Sequence, residues 1–348
     1  MKAFAWLNSV KWLAILVVAS LAVATVASAD NGPNHKTRQG RPISLGTSGG
    51  NINHFEKAFC YGGTLGGLVQ DSEDKYILSN NHVLARTNKA SIGDDIVQPG
   101  LIDVGCQKLV VDAVADLSAF KPIQFKSRRS TPLNTVDAAI AKVRAGAVNT
   151  SGDILDIGTP SNLTAQDKVG CAVQKSGRTT GNTKGTISAV DVTMDVNYGG
   201  GKVARFVDQF LVTPGSFSAG GDSGSEILRD GASPRAVGLL FAGSPDYTVA
   251  NPIAAVQAAF GVTMVGSGDG TGDCPDDPVV ESSAATAAKR RNENALLNLP
   301  SVAGVGVGVG GNIEVYLANE NAQTRARIPA QVDGVPVRVI VTGEFQAR

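Results

Sequence analysis

The chain has 348 residues, 31 basic and 31 acidic side chains and a formal charge of zero; 43% of it is apolar and 5% aromatic. Without a charge excess or a basic stripe it has no electrostatic footprint for nucleic acid. Its length is enough for one large hydrophobic core with a smaller module beside it.

The first residues predict export. Lys2 and Lys11 flank the start of the chain, an apolar run covers residues 12–26, and Ala27-Ser28-Ala29 stands before the first acid, Asp30. That order of basic region, apolar core and small residues makes residues 1–29 a secretory signal peptide. The apolar run, about 15 residues, is short of the roughly 20 that a spanning helix needs. The mature chain is therefore expected to be secreted or periplasmic, with no stable membrane insertion after cleavage. Cys60, Cys106, Cys171 and Cys274 would then lie where disulfides persist. Four cysteines allow three complete pairings, and the sequence does not choose among them. The absence of any Cys-x-x-Cys spacing disfavours zinc, and no metal or cofactor is called for.

Residues 30–43 read as an extended N-terminal segment, with Gly, Pro and polar residues continuing to about residue 50. From there short β-type runs follow one another at 64–69, 76–79, 108–114, 136–143, 169–174, 186–192, 203–212, 226–228 and 236–242, mostly separated by Gly or Pro. One helix is expected near 252–260. Many short strands with turns between them predict a mainly β barrel or sandwich over residues 44–262. Residues 263–283, rich in Gly, Asp, Pro and Ser, read as a flexible linker. Within it Asp269-Gly270-Thr271-Gly272-Asp273 does not complete an EF-hand spacing and reads as solvated chain. Residues 284–348 form a small α+β C-terminal module: a helix over 284–299 closed by Pro300, then strands at 302–309, 313–318 and 335–341. The Gly-x-Gly-x-Gly run at 304–308 continues as a strand with no helix behind it, so it is a close-packed strand and not a phosphate loop.

The chemistry gathers around Gly220-Gly221-Asp222-Ser223-Gly224-Ser225, a serine in a Gly-rich turn between apolar runs. Of the three histidines, His35 and His54 fall in or beside the polar entry segment and are expected to be solvated. His82 follows the apolar strand Tyr76-Ile77-Leu78-Ser79, where a rigid strand end fixes an imidazole. Asp137 heads the apolar strand 136–143; a carboxylate there is costly without a partner, and an imidazole N–H is a fitting one. Asp103, Asp112 and Asp116 are rivals by position alone. A doubly wound α/β hydrolase is disfavoured, since Ser225 stands where a Gly-x-Ser-x-Gly elbow needs its second glycine.

His82, Asp137 and Ser223 occur in the order His, Asp, Ser. In Leu78-Ser79-Asn80-Asn81-His82-Val83-Leu84, Val136-Asp137-Ala138-Ala139-Ile140-Ala141 and Gly220-Gly221-Asp222-Ser223-Gly224 the chain resembles a chymotrypsin-fold, trypsin-like serine peptidase. Lys175-Ser176-Gly177-Arg178-Thr179-Thr180-Gly181 and Thr183-Lys184-Gly185-Thr186 resemble the interior of bacterial trypsin-like peptidases and plant Narrow Leaf proteins. The resemblance covers about residues 44–262 and implies a chymotrypsin-like double β-barrel. It also implies a secreted endopeptidase acting on protein or peptide through a His82–Asp137–Ser223 triad and an acyl-enzyme, with an oxyanion hole at the N–H groups of Gly221 and Ser223. The pocket strand would be 238–244, with Phe241, Ala242 and Gly243 against substrate. Phe217, six residues before the serine, would sit at the pocket base and call for an uncharged side chain. No Ile-Val-Gly-Gly-like new N-terminus is visible, so an amine freed to pair with Asp222 is not expected. A catalytically silent chymotrypsin-fold scaffold and a serine esterase are the competing readings. The C-terminal module resembles one found with trypsin-like bacterial proteins and is expected to dock on the peptidase, as an autoinhibitory or assembly element, or to serve as a tethered stability domain.

Overall fold

A computed structural model of the chain describes residues 34–56, 58–232, 234–268, 270, 274 and 283–348. Residues 1–29, expected to be a signal peptide, and most of residues 263–283, expected to be a linker, fall outside the described residues.

Two antiparallel sheets carry the first two thirds of the described chain. In the first, Gly67–Gln70, Lys75–Ser79, Ala139–Val143, Ala113–Phe120, Asp95–Val97, Thr47–Asn51 and Gly63–Leu65 follow one another, with Thr263–Met264 on the outside of Gly67–Gln70. Gly63–Leu65 and Gly67–Gln70 are one run broken at Gly66, yet they pair at opposite ends of this sheet, so the sheet rolls up on itself. Its interior is filled by Leu45, Leu65, Leu68, Ile77, Ile96, Val114 and Leu117. Thr47–Asn51 is a fully buried strand, although its small polar residues read as an entry segment: Gly49 lies so close to the Leu65 side chain that a Cβ would meet it at 2.4 Å. Thr263–Met264 likewise belongs to a sheet and not to a linker, pairing with Gln70 and Val69.

In the second sheet Gly181–Asn197, Ala172–Gly177, Glu226–Arg229, Ala236–Gly243, Thr248–Pro252 and Val203–Thr213 close into a ring, because Val203–Thr213 pairs back onto Gly181–Asn197. Val173, Ile187, Phe210, Val212, Phe217 and Leu240 fill part of it. The helix Ile253–Phe260 places Ile253 and Val256 with Val69, Leu78, Ile140 and Leu239, a layer that draws on both sheets. The protein is mainly β with a chymotrypsin-like pair of barrels.

The C-terminal residues extend this second sheet. Val302–Gly308 pairs antiparallel with the long strand Gly181–Asn197, Ile313–Leu317 pairs with Val302–Gly308, and Val335–Val341 lies parallel to Ile313–Leu317. Gly304 and Gly306 let this strand approach Met194 and Val192, whose side-chain carbons a Cβ would meet at 3.0 and 2.7 Å. The helix Ser283–Leu297 covers the strands with Ala285, Ala288, Leu296 and Leu297. Buried Lys289 fixes it, bonding Glu293 at 2.6 Å and Thr193 at 2.9 Å. A last strand, Phe345–Ala347, runs parallel to the end of Gly181–Asn197 and antiparallel to Ala236–Gly243. Two disulfides, Cys60–Cys106 and Cys171–Cys274, select one of the three pairings.

Candidate active site

His82 lies in a single helical turn, Asn81–Leu84, at the end of the strand Lys75–Ser79. Asp137 stands just before Ala139–Val143, which pairs with that strand, Ala139 opposite Ser79. The two side chains therefore meet by sheet register. His82 Nδ1 donates to Asp137 Oδ2 at 2.6 Å, and the His82 backbone N–H donates to Asp137 Oδ1 at 3.2 Å. The main chain of Asp137 is held on both sides, its N–H by Asn251 Oδ1 and its carbonyl by Asn80 Nδ2. Asp137 is fully buried, so its charge falls on the imidazole with little screening. Burial works against the charged imidazole, but the charge of Asp137 and its hydrogen bond outweigh this, and the His82 pKa is raised.

A second donor to this carboxylate escaped sequence reading. The Tyr198 hydroxyl donates to Asp137 Oδ2 at 2.8 Å. Burial, and then the Asp137 charge, push the Tyr198 pKa well above the ordinary range, so it stays a protonated donor. Its ring packs edge-on to His82 and Phe125. Tyr198 follows the long strand Gly181–Asn197, and no local pattern marks it.

The serine turn is built against the first sheet. Thr64 N–H donates to the Ser223 carbonyl at 2.8 Å, and Thr64 Oγ1 to the Gly221 carbonyl at 3.0 Å. Gly221 has φ +98°, and a Cβ there would meet Thr179 Oγ1 at 2.5 Å, so the turn requires glycine. Asp222 N–H is used within the turn and Gly224 N–H reaches Leu240 O, while among the described residues the N–H groups of Gly221 and Ser223 find no backbone acceptor. Asp222, buried beneath, accepts from the N–H groups of Ala219, Thr179 and Thr180 and from Thr180 Oγ1. Its counter-charge is Lys175, also fully buried, with Nζ 3.7 Å from Oδ2. Burial lowers the Lys175 pKa to about 8, against the pull of Asp222. An internal lysine thus occupies the place in which a freed N-terminal amine was not expected.

Ser223 Oγ donates to the Phe241 carbonyl at 3.3 Å, and His82 Nε2 contacts the backbone oxygen of Arg348 at 3.1 Å. Beside His82 a cavity of about 440 Å³ is lined by His54, Tyr61, Tyr198, Lys202 and Arg348, among others.

A family model described as the Nal1 C-terminal domain matches residues 129–251. Glutamyl endopeptidase 2 of Streptomyces griseus is 33% identical over 148 residues, which make up 39% of this chain and 71% of that protein. The chain belongs to the trypsin-like serine protease family. Solved structures of the fold include a glutamic acid specific serine protease described as using a histidine triad in substrate binding, at 23% identity, TM-score 0.45, and coverage of 64% of this chain and 100% of that one. Cellulomonas bogoriensis chymotrypsin matches at 19% identity and TM-score 0.41, over 65% of this chain and 99% of its own.

Within this fold several sequence expectations change. Asp103 is taken by Arg178, which grips both its oxygens at 2.6 Å; Asp112 pairs with Arg38 and Asp116 with Arg144. None of these rivals faces His82. His35 is not solvated: it is buried, with Nδ1 2.7 Å from Gly46 O and Nε2 2.7 Å from Asp156. His54 stacks on Tyr61 beside the cavity, and burial lowers its pKa to about 4. The Phe217 ring lies in the barrel core among Val173, Ile187 and Val212, since the single turn Gly215–Phe217 turns it inward. The next residue, Ser218, is bonded through Oγ to Thr248 Oγ1 and to Arg348 Nη1. Of the pocket strand, Phe241, Ala242 and Gly243 present their backbones to a neighbouring chain segment, that of residues 346–348.

Proposed function

We propose that this protein is an exported serine endopeptidase in which Ser223 is the nucleophile, His82 the general base and Asp137 the residue that orients it. The observation that carries this is the buried Asp137–His82 pair at 2.6 Å, with His82 also lining a cavity of about 440 Å³. With Nδ1 donating to Asp137, Nε2 is the nitrogen left to take a proton. Ser223 Oγ turns from Phe241 O to His82 Nε2 by a side-chain rotation and attacks the peptide carbonyl carbon as its proton passes to the imidazole. The tetrahedral oxyanion is held by the N–H groups of Gly221 and Ser223, each such donor being worth about 10²- to 10³-fold in rate. Collapse breaks the C–N bond, His82 returns the proton to the leaving amine, and water releases the acyl group by the same steps. Two disulfides fit an oxidising compartment outside the cytoplasm.

Fluorophosphonate labelling and hydrolysis of a denatured protein substrate test this reading. The wild-type chain is expected to label and to cleave, and Ser223→Ala to do neither while keeping its circular dichroism and unfolding midpoint. Equal hydrolysis by the two would overturn the assignment; absence of labelling in every form would favour the silent scaffold.

A further inference from the structure

Residues 346–348 lie along Ala236–Gly243, the strand that the family resemblance sets against substrate. Ala347 pairs with Ala242 and Gln346 with Gly243 in antiparallel register. Arg348 N–H donates to Phe241 O at 3.2 Å, and the Arg348 backbone oxygen is 3.1 Å from His82 Nε2. Its guanidinium enters a recess whose contacts are all acceptors: Nη1 donates to Ser218 O at 2.5 Å and to Ser218 Oγ at 2.7 Å, and Nη2 donates to Ser244 O. Ser218 Oγ is itself held 2.6 Å from Thr248 Oγ1, so the recess is built and not a chance surface contact. Gly243 admits the side chain, since a Cβ there would stand 2.5 Å from the guanidinium carbon. With this segment in place Ser223 has no exposed surface.

We infer that residues 343–348 are an intramolecular occupant of the substrate cleft, and that the pocket they fill takes arginine at the residue whose carbonyl faces Ser223. This rests on the peptidase reading for the role of the cleft, but not for its occupancy. A carboxylate side chain in the same recess would meet Ser218 O and Ser244 O, both acceptors, and beside them Ser218 Oγ is already bonded to Thr248. Guanidinium satisfies all three acceptors at once. The segment also disables the chemistry in two places. Arg348 N–H shares the Phe241 carbonyl that Ser223 Oγ contacts, and the Arg348 oxygen occupies the nitrogen that has to receive the serine proton. Phe345 anchors the segment in a core with Phe206, Phe241 and Tyr316. Its hold is intramolecular, so a modest contact energy is amplified by a high effective concentration.

Two measurements on the full chain decide this. First, Arg348→Glu removes the cation from the recess, and its fluorophosphonate labelling rate is expected to exceed that of wild type by tenfold or more. Equal or slower labelling by a folded variant overturns the occlusion. Second, fluorescence anisotropy follows a labelled Gly-Glu-Phe-Gln-Ala-Arg peptide with Ser223→Ala and with Ser223→Ala/Arg348→Glu. Saturable binding is expected only to the double variant, and replacing the last residue of the peptide by Glu is expected to weaken it at least tenfold. Equal binding of the two peptides overturns the arginine pocket, and equal binding to both proteins overturns the occlusion. The second measurement needs no turnover: peptide binding without any labelling refutes the peptidase reading and leaves the occupant, whereas labelling unaffected by Arg348→Glu does the reverse.

Discussion

Glu226 follows Ser223 by three residues and sits in a setting unfavourable to a charged carboxylate. It is 1% exposed, both oxygens lack a hydrogen-bond partner, and Gly67 lies so close that a Cβ there would stand 1.7 Å from Oε2. Burial alone pushes its pKa from 4.5 to about 8. The folded protein therefore keeps a proton that the unfolded chain has lost. Below about pH 4.5 both states are protonated and the group has no effect on stability. As pH rises the unfolded state ionises first, and stability falls by about 1.4 kcal/mol per unit until the folded carboxyl also ionises near pH 8. Between 4.5 and about 8 the full loss comes to about 5 kcal/mol. Glu226→Gln keeps the shape and removes the titration. Urea unfolding at a series of pH values should show wild type losing about that much relative to the Gln variant between the two limits. Curves that stay parallel across the range would refute the reasoning and mean that water or a shifted partner solvates the carboxylate.

Three other consequences can be measured separately. Lys175→Met leaves Asp222 buried without its counter-charge beneath the serine turn, and should cost about 3 kcal/mol or more, read as a lower urea midpoint and slower labelling; an unchanged midpoint would mean that the four hydrogen bonds to Asp222 suffice. Tyr198→Phe deletes a donor to a charged group, worth roughly 2 kcal/mol, and is expected to lower kcat tenfold or more with KM held, because the ring still packs on Phe125; a change confined to KM would contradict a positioning role. Since Asp137 raises the His82 pKa, the acid limb of kcat/KM should fall above 6.5, activity being lost as His82 is protonated, and Asp137→Asn should abolish that limb along with most of the rate.

The residues legible in the sequence were those whose chemistry conflicts with their setting. A carboxylate heading an apolar strand, an imidazole at a strand end and a serine between glycines each demand an explanation, and the strand pairing that brings Ala139 opposite Ser79 satisfies the first two together. The mainly β architecture was legible from short apolar runs with Gly and Pro between them. Residues that act across the fold were not legible. Lys175 reads as one more charged position in a strand until its carbon chain is seen threading the barrel core to Asp222. His35 and Thr47–Asn51 read as polar entry chain because the sequence does not reveal that Leu65 and Asp156 close over them. Phe217 reads as a pocket residue because it stands six before the serine, and the sequence does not reveal that its ring packs into the barrel core.

The tail was the least legible part, and the reason bears on how it works. Gly-Glu-Phe-Gln-Ala-Arg has no strong β pattern; it becomes a strand because both neighbours offer it an edge, Val196–Asn197 on one side and Ala242–Gly243 on the other. Those edges belong to the same ring that carries Phe241 and Tyr198, so the tail, the carbonyl bonded to Ser223 and the hydroxyl bonded to Asp137 share one rigid frame. A substrate can pair with Ala242–Gly243 only if the tail gives up that edge. Release need not unfold the C-terminal strands, because Val335–Val341 is held independently by Ile313–Leu317 and the chain can hinge at Gly343, which has φ +78°. The energy that keeps the cleft shut is then concentrated in Phe345 and Arg348. Arg348 sets the fit to the pocket, whereas Phe345 sets the local concentration. Substitution at Phe345 should therefore raise access to Ser223 without changing which side chain the pocket prefers.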